Sequence, residues 1–364
     1  MEQRKTSWWI DSLMKVWLDV LTPKQANFFS KFHDRLIAKG CKTLVTTRRY
    51  REANELLELR GLKSIAIGSH GGGLLKSKLL ESSKRVIALA EVVDEYGPDI
   101  AISFSSPEAA RVAFGLKISH YCVSDSPHAE AVCRLTIPFS QKLFTPWVIP
   151  TYAWKRYGIN ARDIIKYHAL DPMAWLYSHK KNPKVLDELG LDPSKPIVVV
   201  RTSEEFAAYL VDRSAAKLST AIDIVGKIVD LNDTETQIVV LPRYIEQGDK
   251  FRRKFGNHII VPEHIIDAIS LFQTASVFIG GGGTMSAEAA MLGVPVISYY
   301  PGEQTFVERS LMRYGLVERI LDPGRIANRA VSISKSQEFR EFYQAKSSKF
   351  VHNMEDPVKV ILNR

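Results

Sequence analysis

The sequence predicts an α/β protein of two domains, each built on a parallel sheet with helices on both faces. Three observations carry this. The chain has 364 residues, enough for two domains at roughly 100–200 residues each. From Lys15 onward, strand-like apolar runs alternate with segments of helical periodicity, the pattern of parallel strands joined by crossover helices. Between Thr145 and Ser194 the alternation breaks up. Pro146, Pro150, Pro172, Pro183 and Pro193 punctuate that stretch, as expected of an interdomain connection.

The elements follow in order. Lys15–Val20 reads as the first strand and leaves residues 1–13 as an N-terminal extension. Trp8, Trp9 and Ile10 do not amount to the run of at least ~7 apolar residues that a signal peptide needs. A helix over Gln25–Lys39 sets Phe28, Phe29, Phe32 and Leu36 on one face and stops at Gly40. Strand Thr43–Thr46, helix Arg51–Leu59 and strand Lys63–Ile67 continue the series. A glycine-rich loop then leads into a long helix, about Leu79–Tyr96, closed by Gly97-Pro98. Strand Ile100–Phe104, helix Glu108–Phe114 and strand Ser119–Ser124 complete the first half. The second half restarts with strand Ile197–Arg201, helix Ser214–Val229 and strand Gln237–Leu241. Strands Ile259–Val261, Val277–Ile279 and Val294–Ser298 follow, with a helix over Ser286–Leu292. The domains are expected at residues 14–170 and 171–364, the last helix returning to the first domain.

Composition narrows the function. With 45% apolar and 24% charged residues, the chain has ordinary globular composition and is not disordered. Three cysteines, Cys41, Cys122 and Cys133, exclude a disulfide framework, and no CxxC pair or histidine cluster predicts a metal. The longest apolar runs are strand-sized, far short of the ~20 residues of a bilayer crossing, so a cytoplasmic location is expected. A net charge of +9 favours polyanionic partners: phosphate groups, nucleic acid or an anionic membrane surface.

The most informative segment begins at Ser276. Strand Val277-Phe278-Ile279 runs into Gly280-Gly281-Gly282-Gly283 and then directly into Thr284-Met285-Ser286-Ala287-Glu288. Glycines allow close backbone approach, and a helix N-terminus offers unpaired N–H groups at the positive end of its dipole. That is a diphosphate cradle, with Glu288 one turn on, in reach of sugar hydroxyls. The competing reading is a tight strand–helix corner with an ordinary helical glutamate. Arg201 and Arg243 each follow an apolar strand, and two guanidiniums at neighbouring strand ends can clamp phosphate oxygens. Thr202 and Ser203 add hydroxyls. The competing reading pairs these arginines with Glu204, Glu205 or Glu246.

In the first half, Asp125 stands at the end of strand Ser119–Ser124, with His128 three residues on. Either residue type can serve as a general base at such an edge. Asp125 reads equally well as a helix N-cap. Asp19 ends the first strand, where it orients Thr22 and the following turn. Gly68-Ser69-His70-Gly71-Gly72-Gly73 is a second glycine-rich loop, with His70 a further candidate base. It leads into Leu74-Leu75-Lys76-Ser77-Lys78-Leu79-Leu80. Such a segment suits an anionic membrane or a lipid-phosphate acceptor, or is simply a flexible loop and an amphipathic helix. Arg252-Arg253-Lys254 and His179-Lys180-Lys181 read as solvated faces, lacking the interleaved aromatics of a single-strand binder.

The string from Gly280 to Ser298 resembles the C-terminal half of GT-B glycosyltransferases and of the related UDP-N-acetylglucosamine 2-epimerases. More closely, the chain resembles the archaeal and bacterial DUF354 family, whose members are described as predicted glycosyltransferases. The resemblance rests on Asp19, Thr22-Pro23 and Phe28-Phe29, on Val200-Arg201-Thr202, on Leu241-Pro242-Arg243, and on Gly282-Gly283-Thr284-Met285 through Glu288-Ala289-Ala290 to Leu292-Gly293-Val294-Pro295-Val296-Ile297-Ser298. It covers residues 14–330. It implies a GT-B-like fold of two Rossmann-like domains facing across a cleft, and transfer of a sugar from a nucleotide-diphosphate sugar, UDP-linked, to an acceptor hydroxyl. No metal or resident cofactor is implied. Arg201, Thr202, Arg243, Gly281, Gly282, Gly283, Thr284 and Glu288 would hold the donor. Asp125 and His128 would be catalytic, and Asp19, His70 and Gly71 would lie on the acceptor side, together with peripheral membrane contact through residues 74–80. The paired glutamates that follow the glycines in the epimerases are not reproduced. Epimerisation or hydrolysis of a sugar nucleotide is the alternative, and a basic nucleic-acid or membrane-surface binding protein the third reading.

Overall fold

The structure is a computed structural model that describes residues 13–203, 214–231 and 235–364. Most of the N-terminal extension, and Glu204 and Glu205 beside Arg201, lie outside the described residues. The chain divides into two compact units, one of residues up to Tyr177 together with Met354–Arg364, the other Ser178–Asn353.

The first unit runs β1 (Lys15–Val20), α1 (Pro23–Ala38), β2 (Lys42–Arg49), α2 (Arg51–Leu59), β3 (Ile65–Ser69), α3 (Leu75–Tyr96), β4 (Ile100–Ser103), α4 (Pro107–Gly115), β5 (Ser119–Val123), α5 (Glu130–Arg134), β6 (Lys142–Pro146), α6 (Tyr152–Lys155), β7 (Ile164–Tyr167) and α7 (Met173–Leu176). Its sheet is parallel with seven strands in the order β3-β2-β1-β4-β5-β6-β7. Central β1 is buried from Val16 to Val20, as a strand covered on both faces must be. Trp17, Leu44, Ile67, Leu89, Val93 and Ala101 form the core beneath α3 and α4.

The second unit runs α8 (Lys184–Glu188), β8 (Ile197–Arg201), α9 (Ser214–Leu231), β9 (Gln237–Leu241), α10 (Ile245–Phe255), α11 (Ala268–Phe272), β10 (Val277–Gly280), α12 (Thr284–Met291), β11 (Val296–Ser298), α13 (Phe306–Arg313), β12 (Val317–Arg319), α14 (Pro323–Ser334) and α15 (Gln337–Val351). Five parallel strands stand in the order β12-β11-β10-β8-β9. Val198, Val200, Ile224, Ile238, Phe251 and Ile279 centre its core. The chain ends in α16 (Pro357–Leu362), which packs on α1 and α7 of the first unit, with Arg35 2.7 Å from Asp356.

Several expectations need correction. The proline-punctuated stretch is not merely a connection: β6 and β7 extend the first sheet, and their pairing tolerates Pro146 at the end of β6. Residues 171–177 belong with the first unit rather than the second, because α7 packs on α1 and Asp171 pairs with Lys24. Ile259–Val261 is no full strand, its described pairing being one bridge, Ile260 to Val239. The long helix starts at Leu75 rather than Leu79.

Candidate functional site

In an open parallel sheet, ligands are met at the carboxyl ends of the strands. In the second unit that edge holds most of the predicted donor residues. Arg201 ends β8 in register with Gly280 of β10 on one side and with Leu241 of β9 on the other. The glycine turn, Thr202-Ser203 and Pro242-Arg243 therefore leave adjacent strands together.

The glycines fit this crowding. A Cβ on Gly281 would stand 2.1 Å from Ser203 Oγ. Gly283, at the N-cap of α12, has φ +92° and ψ −164°, a conformation essentially reserved for glycine. No side chain caps α12 there, so its first-turn N–H groups are not taken up by an N-cap side chain. Thr284 opens the helix, and Glu288 is buried within it.

Arg201 and Thr202 both bind across from the β8 loop to the β9 side. Arg201 is half-buried, its Nη1 donating to the carbonyls of Pro242 at 2.7 Å and Leu241 at 3.3 Å. Its own carbonyl accepts from Tyr299 Oη at 2.9 Å. Burial pushes that phenol up to about 12, so it stays a donor. Thr202 is buried, and its hydroxyl donates to Gln247 Oε1 at 2.6 Å while accepting from the Arg243 N–H at 3.0 Å. Its only proton is committed; Thr202 shapes the loop rather than offering a donor to a ligand. Gln247, on α10, also accepts from the Arg243 N–H at 3.0 Å and so ties the β8 and β9 loops together. Sequence reasoning missed it, although its position three residues into the segment after Tyr244 suits such a loop tie.

Beside the glycine turn lies a hollow of about 540 Å³ lined by Pro301, Gly302, Glu303, Gln304, Arg309 and Arg319. Arg319 builds its wall by donating to the carbonyls of Tyr300 at 3.0 Å and Gly302 at 3.1 Å. Tyr300 joins the hollow to the turn, since a Cβ on Gly282 would meet the tyrosine Cβ at 3.3 Å.

In the first unit, Asp125 does not cap a helix: α5 begins after Ala129. Instead Lys24, on the first turn of α1, bridges two carboxylates, 2.5 Å from Asp125 Oδ2 and 2.5 Å from Asp171 Oδ2. Asp125 remains partly exposed and accepts from Ser126 Oγ at 2.8 Å, whereas Asp171 is buried and accepts from the Tyr167 hydroxyl. Burial alone would push both carboxyls up. At Asp125 the lysine outweighs it and the pKa falls below the usual range. At Asp171 burial, with repulsion from Asp125, prevails over the lysine and pushes the acid up to about 6. His128 is exposed, and Asp125 is close enough to act on its charge. His70 stacks on Tyr50 with ring centroids 5.0 Å apart, and Gly71 packs against the Lys78 backbone on α3.

Asp19 departs from its expected place on the acceptor side. It is wholly buried, with Arg85 Nη2 2.5 Å from Oδ1 and Nη1 3.1 Å from Oδ2. Thr46 and Ser106 hydroxyls each donate to it at 2.6 Å. Two donors on each oxygen leave it no free face for a substrate, and it organises the ends of β1, β2 and β4. Burial opposes its ionisation, but Arg85 and these hydrogen bonds hold the carboxyl below its ordinary range. Neither Lys24, Asp171 nor Arg85 stood out in the sequence. Among the described residues no group of three or more His, Cys, Asp or Glu is arranged to hold a metal, and no helix is long and apolar enough to cross a membrane.

With this geometry in view, comparison with known proteins decides the family. The family model described as "Protein of unknown function (DUF354)" matches residues 14–364. The chain belongs to the DUF354 family. It is 32% identical over 304 residues to "Uncharacterized protein MJ0665" of Methanocaldococcus jannaschii, covering 82% of this chain and 85% of that one. Among solved structures, this DUF354 chain is similar to a UDP-GlcNAc 2-epimerase from Neisseria meningitidis bound to UDP-GlcNAc. The TM-score is 0.71 at 17% identity, over 94% of this chain and 95% of that one. It is also similar to the spinosyn forosaminyltransferase SpnP, at TM-score 0.63 and 13% identity, over 96% and 98% of the two chains. At these identities the likeness establishes the GT-B-type α/β fold, which this DUF354 member shares with sugar-nucleotide epimerases and glycosyltransferases alike.

Proposed function

We propose that the protein is a GT-B glycosyltransferase that takes a sugar from a nucleotide-diphosphate sugar, UDP-linked, and places it on an acceptor hydroxyl. The observation that carries this reading is the junction of Arg201, Arg243, the Gly281–Gly283 turn and the N-terminus of α12 at one sheet edge. Guanidiniums and open N–H groups at a helix start suit a diphosphate. They stabilise it most as it leaves and its charge grows. The adjoining hollow has the size of a small-ligand pocket and suits the nucleoside, and Glu288 would meet the ribose. In the reaction the acceptor oxygen bonds to the sugar's anomeric carbon and the bond from that carbon to the diphosphate breaks. The acceptor proton passes to Asp125 or His128. Lys24 keeps Asp125 ionised and ready to accept it.

A second reading, epimerisation or hydrolysis of the sugar nucleotide, is favoured by the epimerase structure's higher TM-score, 0.71 against 0.63. The single Glu288 after Ala287, where the epimerases carry paired glutamates, weighs against it.

Two measurements test the proposal. In a thermal-shift screen of UDP, GDP and their sugars, a ligand at 100 times its Kd adds about 2.7 kcal/mol. A broad panel without any shift removes the donor site. Incubation of the same sugar nucleotides with and without candidate acceptors separates the reactions. Epimer or free sugar formed without acceptor overturns transfer.

A further inference from the structure

Two arginines stand close together at the carboxyl edge of the first sheet, and they are used in opposite ways. Arg85 is fully committed. Besides its contacts with Asp19, its Nε donates to the Ile67 carbonyl at 2.9 Å and its Nη2 to the Thr47 carbonyl at 3.4 Å. Its stem fills the place of a side chain at Gly68, whose Cβ would stand 3.1 Å from it. There the edge strand β3 carries a bulge: Thr47 pairs with Ala66 but Arg49 with Ser69, which leaves Ile67 and Gly68 opposite Arg48. Bulges at a sheet rim re-aim side chains and recur beside functional sites.

Arg48 has no such partners. It is half-buried, and its Nε is shut off from water without a hydrogen-bond acceptor. Among the described residues no hydrogen bond or ion pair reaches its guanidinium. Asp19 and Glu108 are near enough to act on its charge, but both are taken up elsewhere. Asp19 holds its four donors, and buried Glu108 accepts from Ser106 Oγ at 3.4 Å with Arg85 Nη1 3.9 Å away. A partly desolvated guanidinium with an unmade hydrogen bond is costly to leave unanswered, and its planar fork fits an oxyanion. Beside it stand two rings. The Tyr50 centroid lies 5.9 Å from Arg48 Cζ, and His70, from the loop after β3, stacks on Tyr50 at 5.0 Å.

We propose that Arg48 binds a singly charged oxyanion, a carboxylate or a phosphodiester, on the molecule that the first unit receives, with Tyr50 and His70 as the wall beside it. The single charge follows from Glu108. One guanidinium neutralises one charge, and a dianion would keep a second one desolvated beside that carboxylate. Arg48 lies near the end of β2 and Asp125 follows β5, with β1 and β4 between them, three strand spacings or about 14 Å. A ligand that serves both is therefore extended, its charged end held apart from the reacting hydroxyl. Only this use as an acceptor rests on the transferase reading; the oxyanion site does not.

Proton–carbon NMR of the full chain, following the Tyr50 and His70 ring signals, tests it. The probes are acetate, dimethyl phosphate and, at about pH 8 where it is a dianion, inorganic phosphate, each against chloride at equal ionic strength. Saturable shifts with acetate or dimethyl phosphate but not chloride are expected, and the tighter of the two identifies the source of the oxyanion. Arg48→Met should weaken that binding at least about tenfold, and Arg48→Lys, which keeps the charge without the fork, should weaken it less. Because the guanidinium has no partner to strand, Arg48→Met should melt no earlier than wild type. UDP, titrated separately, should bind this variant as it binds wild type; a chain that takes the oxyanion but not UDP loses the transferase reading and keeps this one. Shifts no greater than with chloride, or equal affinity in Arg48→Met, overturn the proposal. So does an Arg48→Met that fails to fold, since the protein itself would then be satisfying the guanidinium. Inorganic phosphate binding tighter than both other probes overturns the single charge.

Discussion

Arg201 and Gly280 are parallel-register partners at the ends of β8 and β10, which puts a guanidinium-bearing strand end directly beside a turn that only glycine can make. The turn's next residue, Gly281, is pressed against Ser203, which follows Arg201 by two positions.

A methyl group at Gly281 would meet Ser203 Oγ at 2.1 Å, Ser203 Cβ at 3.0 Å and Ser203 Cα at 3.2 Å. Gly281→Ala therefore has to push two loops apart. We expect it to weaken UDP binding in calorimetric titration by at least about tenfold, or about 1.4 kcal/mol. Ser203→Gly in the same chain should restore part of the loss by removing the atoms met first. Unchanged UDP affinity in the single variant would mean that the turn does not hold the diphosphate.

The Asp19–Arg85 pair predicts a stability effect. Both side chains are essentially buried, so removal of one partner strands the other. Arg85→Met should destabilise the protein by about 3–5 kcal/mol in urea unfolding, and Asp19→Leu combined with Arg85→Met should cost less than the sum of the singles. The pH dependence follows. With Asp19 held below its ordinary range, the pair's contribution is present above the unfolded carboxylate pKa and fades as pH falls through the folded value. In Arg85→Met that acid-side loss should vanish, because burial alone favours protonated Asp19. An additive double variant would refute the coupling.

The sheets were legible because fully buried parallel strands write themselves as apolar runs, as at Ile197–Val200 and Val277–Ile279. β6 and β7 were not, since Lys142–Pro146 and Ile164–Tyr167 are short and sit among prolines that signal a connection. The glycine turn and both arginines were readable from spacing at strand ends. At strand ends of the same kind, Arg201, Thr202 and Asp19 all make hydrogen bonds that turn inward, to the Leu241 and Pro242 carbonyls, to Gln247 and to Arg85. Local sequence cannot tell inward from outward at a strand end. Lys24 and Asp171, far apart in the chain, meet only through tertiary packing.

That Lys24 bridge sets both carboxyls it touches. The lysine lowers Asp125 below its ordinary range and restrains Asp171, which burial nonetheless pushes up to about 6. Lys24→Met should raise both, as followed by carboxyl carbon chemical shifts across a pH titration. If Asp125 accepts the acceptor's proton, the acid limb of the pH–rate profile moves to higher pH in this variant, while UDP affinity stays near wild type. A profile that does not move would take Asp125 out of the proton transfer.

His120 supplies the last prediction. It is buried between Ser103 Oγ, 2.8 Å from Nε2, and Ser140 Oγ, 3.0 Å from Nδ1. Burial pushes its pKa down to about 4 against the attraction of Asp19. The unfolded chain therefore binds a proton at His120 that the folded one does not, between roughly pH 6.5 and pH 4. Its contribution to stability is complete above that window and is lost as pH falls through it. Asp171, raised to about 6, works in the opposite direction over much of the same range, so the wild-type curve by itself conceals the effect. The difference between wild type and His120→Asn isolates it. Whatever that variant costs at pH 7 should shrink by about 3 kcal/mol by pH 4, because a residue that cannot titrate loses nothing on acidification. A gap that stays constant from pH 7 to pH 4 in denaturant titrations would show that His120 binds its proton equally in the folded and unfolded chains, and that burial between Ser103 and Ser140 does not hold it neutral.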